Sequence, residues 1–201
     1  MSFRVEEKII LNFGNLYDFK YWLKTKNAKK FYPIRKISSI YFDNINYDMF
    51  IHSEEGIVPR KKIRIRNYPN NENTAILFEK KISSVEGRFK ISNIISAKLY
   101  KNNISRGILD SIYGICLPKI IVNYDREYFL LNKSRITIDQ NITYSSFRSK
   151  KNFYNEKNFL KEIKENQNLN KELKGILPYE RRRFSKYCRA VNELNIYKNN
   201  N

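Results

Sequence analysis

Charged and apolar residues alternate along several short segments of this chain. In residues 60–66, Arg64 and Arg66 alternate with isoleucines. Successive side chains of a β-strand point to opposite faces, so a strand here places its guanidinium groups on one face and its isoleucines on the other. The same alternation recurs at residues 77–82, 87–91, 124–129 and 134–139. Because it recurs, the pattern predicts a sheet with one apolar face and one face rich in cations.

The pattern as a whole predicts an α+β fold, mainly antiparallel sheet with covering helices. The predicted strands span residues 4–13, 37–43, 62–68, 75–82, 87–91, 119–129, 134–140 and 158–164. Asn15 is placed to cap a first helix, in which Leu16, Phe19, Trp22 and Leu23 recur at helical spacing. Further helices are predicted at residues 93–101, 105–113 and 178–196. The polar segments at residues 44–55 and 145–155 are interpreted as connections.

Length and charge limit the domain organisation and the class of partner. A chain of 201 residues suits one domain with its own core, and we expect it over residues 1–197, followed by a frayed tail at residues 198–201. The formal charge is +19 at pH 7, from 39 Lys and Arg against 20 Asp and Glu. Such a charge points to nucleic acid, an anionic membrane or a phosphorylated small molecule, and its sign alone does not choose among them.

The composition also excludes some classes. Cys116 and Cys188 lie far apart and His52 is the only histidine, so no structural zinc site is expected. We interpret both cysteines as small buried hydrophobes and assign His52 no role. No apolar run approaches the ~20 residues that a membrane-spanning helix needs. The sequence therefore predicts a soluble, cytoplasmic protein.

The predicted strands collect cations and a few carboxylates on one face. The candidates are Arg4, Glu6, Lys8, Lys62, Arg64, Arg66, Glu79, Lys81, Arg88, Lys90, Arg126, Arg135, Asp139, Glu162 and Lys164, with Ser185 and Lys186 from the C-terminal segment. Two like charges about 6 Å apart repel by roughly 3 kcal/mol at an effective dielectric constant of about 20. Several such pairs would strongly destabilise a domain whose net stability is about 5–15 kcal/mol. A bound polyanion, with a divalent metal held by the carboxylates, would relieve most of it.

Eight short motifs, taken in order, resemble the VTC domain, the polyphosphate polymerase domain of the vacuolar transporter chaperone complex and a CYTH-like branch of the triphosphate tunnel metalloenzymes. They are Arg4-x-Glu6-x-Lys8, Ser39-Ile40-Tyr41-Phe42-Asp43, Lys62-Ile63-Arg64-Ile65-Arg66, Phe78-Glu79-Lys80-Lys81, Tyr124-x-Arg126, Ile136-Thr137-Ile138-Asp139, Glu162-Ile163-Lys164 and Phe184-Ser185-Lys186-Tyr187. The resemblance covers nearly the whole chain. The sister CYTH branch carries Glu-x-Glu-x-Lys on its first strand, so Arg4 in the first position favours the VTC branch.

The resemblance implies an eight-stranded closed antiparallel barrel around a basic tunnel, with a C-terminal helix closing one end. Such a tunnel would bind ATP, inorganic polyphosphate and pyrophosphate or triphosphate, with Mn²⁺ or Mg²⁺ as the cofactor. A phosphate oxygen would attack the γ-phosphate of ATP in line, without a covalent enzyme intermediate.

The resemblance also implies roles for individual residues. The groups at the reacting phosphates would be Lys8, Arg64, Arg66, Lys81, Arg126 and Lys186. Further phosphate or nucleotide contacts would come from Arg4, Lys62, Arg88, Lys90, Lys164 and Ser185. Glu162 would hold the metal, and the further candidate ligands are Glu6, Glu79 and Asp139.

Three other functions stay open. A nucleic-acid-binding module agrees with the pI of about 9.8 and the 15 tyrosines, although carboxylates among the cations would repel a nucleic-acid backbone. A metal-dependent tripolyphosphatase or nucleoside triphosphatase of the same fold differs only in that water attacks. The third is a non-catalytic polyphosphate-binding scaffold.

Single residues have simpler interpretations as well. Arg64 and Arg66 could line a solvated strand face, and Glu162 could form only a structural ion pair. Ser185 could be an exposed helical serine. Tyr41 and Tyr124 are interpreted as packing residues.

Overall fold

The structure is a computed structural model that describes residues 5–70, 75–132, 134–149, 153–156, 159–165 and 184–197, with the backbone alone for residues 5–7 and 159–165. Within these residues the helices are α1 (Phe13–Thr25), α2 (Asp48–Glu55), α3 (Ala97–Arg106) and α4 (Lys186–Glu193). The strands are β1 (Val5–Leu11), β2 (Lys29–Asp43), β3 (Arg60–Asn67), β4 (Ile76–Ser83), β5 (Arg88–Ile95), β6 (Ile108–Asp110), β7 (Gly114–Leu131), β8 (Ser134–Ser146), β9 (Phe153–Asn155) and β10 (Phe159–Glu165).

The strands pair in the order β1-β10-β8-β7-β2-β3-β4-β5, with β6 on β7 and β9 on β8. The registers of β1 with β10, β10 with β8, and β2 through β5 are all antiparallel. The predicted α+β class, mainly antiparallel β, is therefore confirmed. In the described residues the pairing order ends at β1 and β5, so the closed eight-stranded barrel stays a prediction.

The chain divides into two compact units. Unit 1 comprises residues 1–36, 124–142 and 155–184, and unit 2 comprises residues 37–123, 143–154 and 185–201. Three strands, β2, β7 and β8, run from one unit into the other.

Unit 1 contains its own apolar core beneath α1. Leu16, Phe19 and Leu23 are the buried residues of this helix, as their helical spacing predicts. They pack with apolar residues of β1, β7 and β8. The helix begins one turn earlier than expected, because the Asn12 side chain accepts a hydrogen bond from the Asn15 backbone N at 2.8 Å. The predicted cap at Asn15 is therefore wrong.

The core of unit 2 lies on the apolar face of β3. Ile63 and Ile65 are almost fully buried, and they pack with Phe42, Met49 and Cys116. Both cysteines are buried and free, as predicted. Burial raises the pKa of the Cys116 thiol to about 12, which keeps it protonated at neutral pH.

The segment after β2 is a helix, where the sequence indicated a polar connection. Asp43 ends β2, and its carboxylate accepts hydrogen bonds from the backbone N of Met49 and of Phe50, both at 3.0 Å. These bonds satisfy amides of the first turn of α2, which have no partner inside the helix. His52 lies on α2 and its Nδ1 is 3.0 Å from the Tyr113 hydroxyl.

The predicted helix at residues 93–101 is wrong in its limits, and the predicted helix at residues 105–113 is wrong. Strand β5 continues through Ile95, and α3 begins after Ser96, whose side chain accepts a hydrogen bond from the Leu99 backbone N at 3.2 Å. The helix ends at Gly107, whose φ of 82° and ψ of −175° only glycine adopts readily. Ile108 then starts β6 by pairing with Cys116, so residues 108–110 form a strand and not a helix.

Other boundaries also differ from the sequence prediction. Strand β7 begins at Gly114, β8 continues to Ser146, and β9 lies in the stretch interpreted as a connection. Helix α4 begins at Lys186, whereas residues 178–183 of the predicted C-terminal helix lie outside the described residues. None of the helices in the described part of the chain is long and apolar enough to span a membrane.

Candidate functional site

Unit 2 carries a cation face on strands β3, β4 and β5. Directly opposed residues of antiparallel strands project on the same side of the sheet, and the register opposes Lys62 to Lys81 and Lys81 to Lys90. It likewise opposes Arg64 to Glu79. On these three strands the cation face comprises seven basic residues and one carboxylate. They are Arg60, Lys62, Arg64, Arg66, Lys81, Arg88, Lys90 and Glu79.

The two central arginines of this face are buried. Arg64 is 8% exposed and Arg66 is 7% exposed. The interpretation of these two residues as a solvated strand face is therefore wrong. At the edge, Arg88 and Lys90 are exposed, while Lys62 and Lys81 are half-buried.

Glu79 is the carboxylate that the basic residues of the cation face surround. Its Oε2 accepts a hydrogen bond from Arg64 Nε at 2.6 Å and lies 4.0 Å from Arg66 Nε, and its Oε1 forms an ion pair with Lys90. Burial acts to raise the pKa of this carboxyl, but Arg64, Arg66 and Lys90 together hold it well below its usual range. Glu79 is thus ionised and contacts three cations.

Strand β2 supplies neutral partners for the two arginines. Arg64 Nη1 donates a hydrogen bond to the Tyr41 hydroxyl at 2.9 Å, and Arg66 Nε donates one to Ser39 Oγ at 3.2 Å. Tyr41 is itself buried, which alone would raise its pKa. The charges of Arg64, Arg66 and Lys186 outweigh burial and leave the Tyr41 pKa below its ordinary value.

Helix α4 packs next to Tyr41 in the same unit. The rings of Tyr41 and Tyr187 stack with centroids 5.4 Å apart and an interplanar angle of 18°. Lys186, the first residue of α4, is 7% exposed. Ser185 caps the helix and its Oγ accepts a hydrogen bond from the Cys188 backbone N at 3.3 Å. Ser185 is therefore a cap and not an exposed helical serine.

Unit 1 contains a second buried ion pair. Arg126 donates from Nε to Asp139 Oδ1 at 2.5 Å and from Nη2 to Asp139 Oδ2 at 2.7 Å. Asp139 is fully buried and Arg126 is 7% exposed. The guanidinium carbon of Arg126 lies 5.2 Å from the centroid of the Tyr124 ring, so Tyr124 packs against a cation as well as in the sheet.

Of the remaining predicted residues of unit 1, Arg135 lies on β8, and Glu6, Lys8, Glu162 and Lys164 lie on β1 and β10. Lys8 Nζ donates to the Phe184 carbonyl at 3.0 Å. The backbone register places Glu162 directly opposite Lys8, and Lys164 directly opposite Glu6. The side chains of Glu6, Glu162 and Lys164, and the whole of Arg4, lie outside the described part of the chain.

The four proposed metal ligands divide into two pairs. Both oxygens of Glu79 and both oxygens of Asp139 contact basic side chains, and metal binding by these two carboxylates stays a prediction. Among the described side chains, no group of three or more His, Cys, Asp or Glu could hold one. Glu162 and Glu6 stay as predicted ligands.

Sequence reasoning missed the polar role of β2. Ser39, Tyr41 and Asp43 alternate along this strand, and each accepts a hydrogen bond through its side chain. Tyr41 is a packing residue, as interpreted, but it is also a partner of Arg64. The sequence contained a signal for this role, because three oxygen-bearing side chains recur at every second position of a predicted strand.

Comparison with known structures shows which fold this chain shares. A candidate adenylate cyclase from Vibrio parahaemolyticus is similar in fold, with a TM-score of 0.56, 13% sequence identity, and coverage of 95% of this chain and 98% of that chain. The Pct1 RNA triphosphatase of S. pombe aligns at a TM-score of 0.36 and 11% identity, covering 100% of this chain and 75% of that chain, a score too low to support an argument. This chain thus shares the fold of the Vibrio parahaemolyticus protein.

The sequence itself matches the VTC domain family over residues 3–195. This chain belongs to the VTC domain family. No curated protein matches the sequence significantly.

Proposed function

We propose that this chain is a polyphosphate polymerase that transfers the γ-phosphate of ATP to a growing inorganic polyphosphate chain. The observation that carries the proposal is the buried excess of cations around Glu79. Three cations contact this one carboxylate, and two of them, Arg64 and Arg66, are at most 8% exposed. A chain of phosphates carries closely spaced negative charges that suit such a site.

The cation face is better suited to bind a polyanion than a single anion. Lys62, Lys81 and Lys90 occupy directly opposed positions on three neighbouring strands. Like charges about 6 Å apart repel by roughly 3 kcal/mol at an effective dielectric constant of about 20, and a bound anion between them offsets this repulsion. A row of such positions can therefore bind successive phosphates.

The proposed roles follow the chemistry of each side chain. Arg64, Arg66 and Lys186 in unit 2, and Arg126 and Lys8 in unit 1, would orient phosphate oxygens and stabilise charge on the transferred group. The planar fork of an arginine matches two phosphate oxygens at once. Lys81 would act with these residues at the reacting phosphates. The remaining phosphates would be bound by Arg4, Lys62, Arg88, Lys90 and Lys164, together with the Ser185 hydroxyl.

Two further parts of the proposal concern the fold and the metal. We propose that the sheet closes into the eight-stranded tunnel barrel expected for this family, as a single domain over residues 1–197. Glu162 and Glu6 are the proposed ligands of Mn²⁺ or Mg²⁺, since oxygen ligands suit these ions. A bound ion would neutralise charge on the phosphates. Glu79 and Asp139, the further proposed ligands, also pair with arginines.

The test is a product assay on the purified protein. ATP and Mn²⁺ are supplied with and without a short polyphosphate primer, chain length is resolved on a gel, and free phosphate is measured in parallel. Long chains together with ADP support the polymerase. Free phosphate without chains would instead identify a triphosphatase, and the absence of both products would indicate a binding scaffold.

The variants Arg64→Ala and Arg106→Ala test whether turnover depends on the cation face. Arg106 is an exposed arginine at the end of α3, a helix whose Tyr100 and Ile104 pack against the apolar core on the opposite face of β3. We expect Arg64→Ala to abolish turnover and Arg106→Ala to retain it. Tripolyphosphate should also raise the melting temperature of the unchanged protein, because a ligand that binds only the folded state stabilises it. No shift at millimolar tripolyphosphate would contradict the proposal.

A further inference from the structure

The guanidinium group of Arg64 is held from two sides by chemically different partners. Glu79 on β4 accepts from Nε at 2.6 Å, and the Tyr41 hydroxyl on β2 accepts from Nη1 at 2.9 Å. Tyr41 is 6% exposed and Glu79 is 1% exposed. The plane of the guanidinium group is thus defined by the strands on either side of β3.

Tyr41 is itself held in place by a chain of contacts within unit 2. Its ring stacks on Tyr187 at 5.4 Å, and the Tyr187 hydroxyl donates to Asp43 Oδ2 at 2.6 Å. Asp43 in turn accepts from backbone amides of residues 44, 49 and 50. Side-chain rotation of Tyr41 would disrupt the stacking, so its hydroxyl is a fixed acceptor.

We propose that Tyr41 is a positioning residue that orients Arg64 toward phosphate without neutralising its charge. The inference rests on the proposed phosphate-binding function of the cation face. A carboxylate such as Glu79 orients an arginine but also cancels its charge, whereas a hydroxyl orients it and leaves the positive charge available to the ligand. Orientation matters because a bidentate contact with phosphate requires the guanidinium plane to be aligned.

The proposal predicts a defined pattern of tripolyphosphate affinities. Tyr41→Phe retains the ring and its stacking but removes the acceptor. Since the guanidinium plane is then less well aligned with the phosphate oxygens, we expect the dissociation constant for tripolyphosphate to rise roughly tenfold. Tyr113→Phe is the matched control. It removes another buried hydroxyl of unit 2, one bonded to His52 in the apolar core, and should leave the affinity unchanged.

A double-mutant cycle separates positioning from direct contact. Arg64→Lys keeps the charge but loses the fork that Tyr41 orients. If Tyr41 acts through Arg64, Tyr41→Phe will have no further effect in the Arg64→Lys background. An equal loss in both backgrounds would mean that Tyr41 contacts the ligand itself, and this would overturn the positioning role.

The experiment uses isothermal calorimetry with tripolyphosphate, and circular dichroism to verify folding. Unchanged affinity in Tyr41→Phe would overturn this inference alone, because the unchanged protein would still bind. Failure of the unchanged protein to bind tripolyphosphate would overturn the proposed function as well. Loss of folding in Tyr41→Phe, with Tyr113→Phe folded, would make Tyr41 structural and would also overturn the positioning role.

Discussion

The Tyr187 hydroxyl donates a hydrogen bond to Asp43 Oδ2 at 2.6 Å, which joins α4 to the end of β2. The two residues are 144 positions apart in the sequence. Burial raises the pKa of Asp43 and, with the help of the Asp43 charge, raises that of Tyr187 well above its ordinary value. The phenol therefore stays protonated and remains the donor across the physiological pH range.

Removing this hydroxyl should destabilise the protein. In Tyr187→Phe a buried oxygen of Asp43 loses a donor, and a buried polar group left without its partner costs about 1–3 kcal/mol. The free energy of unfolding, measured by urea denaturation, should fall by this amount. Tyr17→Phe is the control, because Tyr17 is 71% exposed on α1 and should show no change. Equal stability of the two variants would show that the bond contributes nothing measurable.

The Arg126–Asp139 pair should be more sensitive to losing one member than to losing both. Arg126→Ala leaves the fully buried Asp139 without its bidentate partner, and breaking a buried pair in this way costs about 3–5 kcal/mol. The double variant Arg126→Met with Asp139→Leu removes both charges while retaining volume. We expect it to recover most of the lost stability in urea denaturation. A double variant as unstable as Arg126→Ala would refute this explanation.

Glu79 should make stability depend on pH in the acid range. Its pKa is held well below the ordinary 4.5 by Arg64, Arg66 and Lys90, so the unfolded chain takes up the proton first. The stabilising contribution is complete above about pH 4.5 and is lost progressively as the pH falls toward the folded-state value. Denaturation curves from pH 7 to pH 3 should show this loss, and Glu79→Gln should show a smaller one. If stability falls equally with pH in the unchanged protein and in Glu79→Gln, the pH dependence comes from other carboxylates, such as Asp110.

Two glycines should respond in opposite ways to alanine. At Gly107 a Cβ atom would lie 2.8 Å from the Cys116 carbonyl oxygen, and φ is 82°. The backbone conformation alone costs about 1–3 kcal/mol for a residue with a side chain, and the close contact adds to this. At Gly14 the nearest atom is 3.7 Å from the Cβ position, and alanine favours a helix by roughly 0.5–1 kcal/mol. The melting temperature should therefore fall for Gly107→Ala and stay the same or rise for Gly14→Ala. A lower melting temperature in both variants would contradict the explanation from backbone conformation and Cβ contacts.

Much of the local structure could be predicted from the sequence. The alternation around Arg64 and Arg66 identified β3 and the face on which its cations lie, and the spacing of Leu16, Phe19 and Leu23 identified the buried face of α1. Both patterns repeat with the period of their element, so neighbouring residues contain the information. The prediction failed at residues 105–113, where Gly107 ends α3 and pairing with β7 selects a strand.

In the site, too, some features follow from local sequence patterns and others depend on contacts between distant segments. The strands that carry the cations follow from the sequence, because side-chain direction follows from position along a strand. The burial of Arg64 and Arg66, the contact of Glu79 with three cations, and the contacts of Tyr41 and Asp43 with Tyr187 of α4 follow from the tertiary structure. Burial and pairing depend on contacts between segments distant in the sequence, and no local pattern specifies which segments will meet.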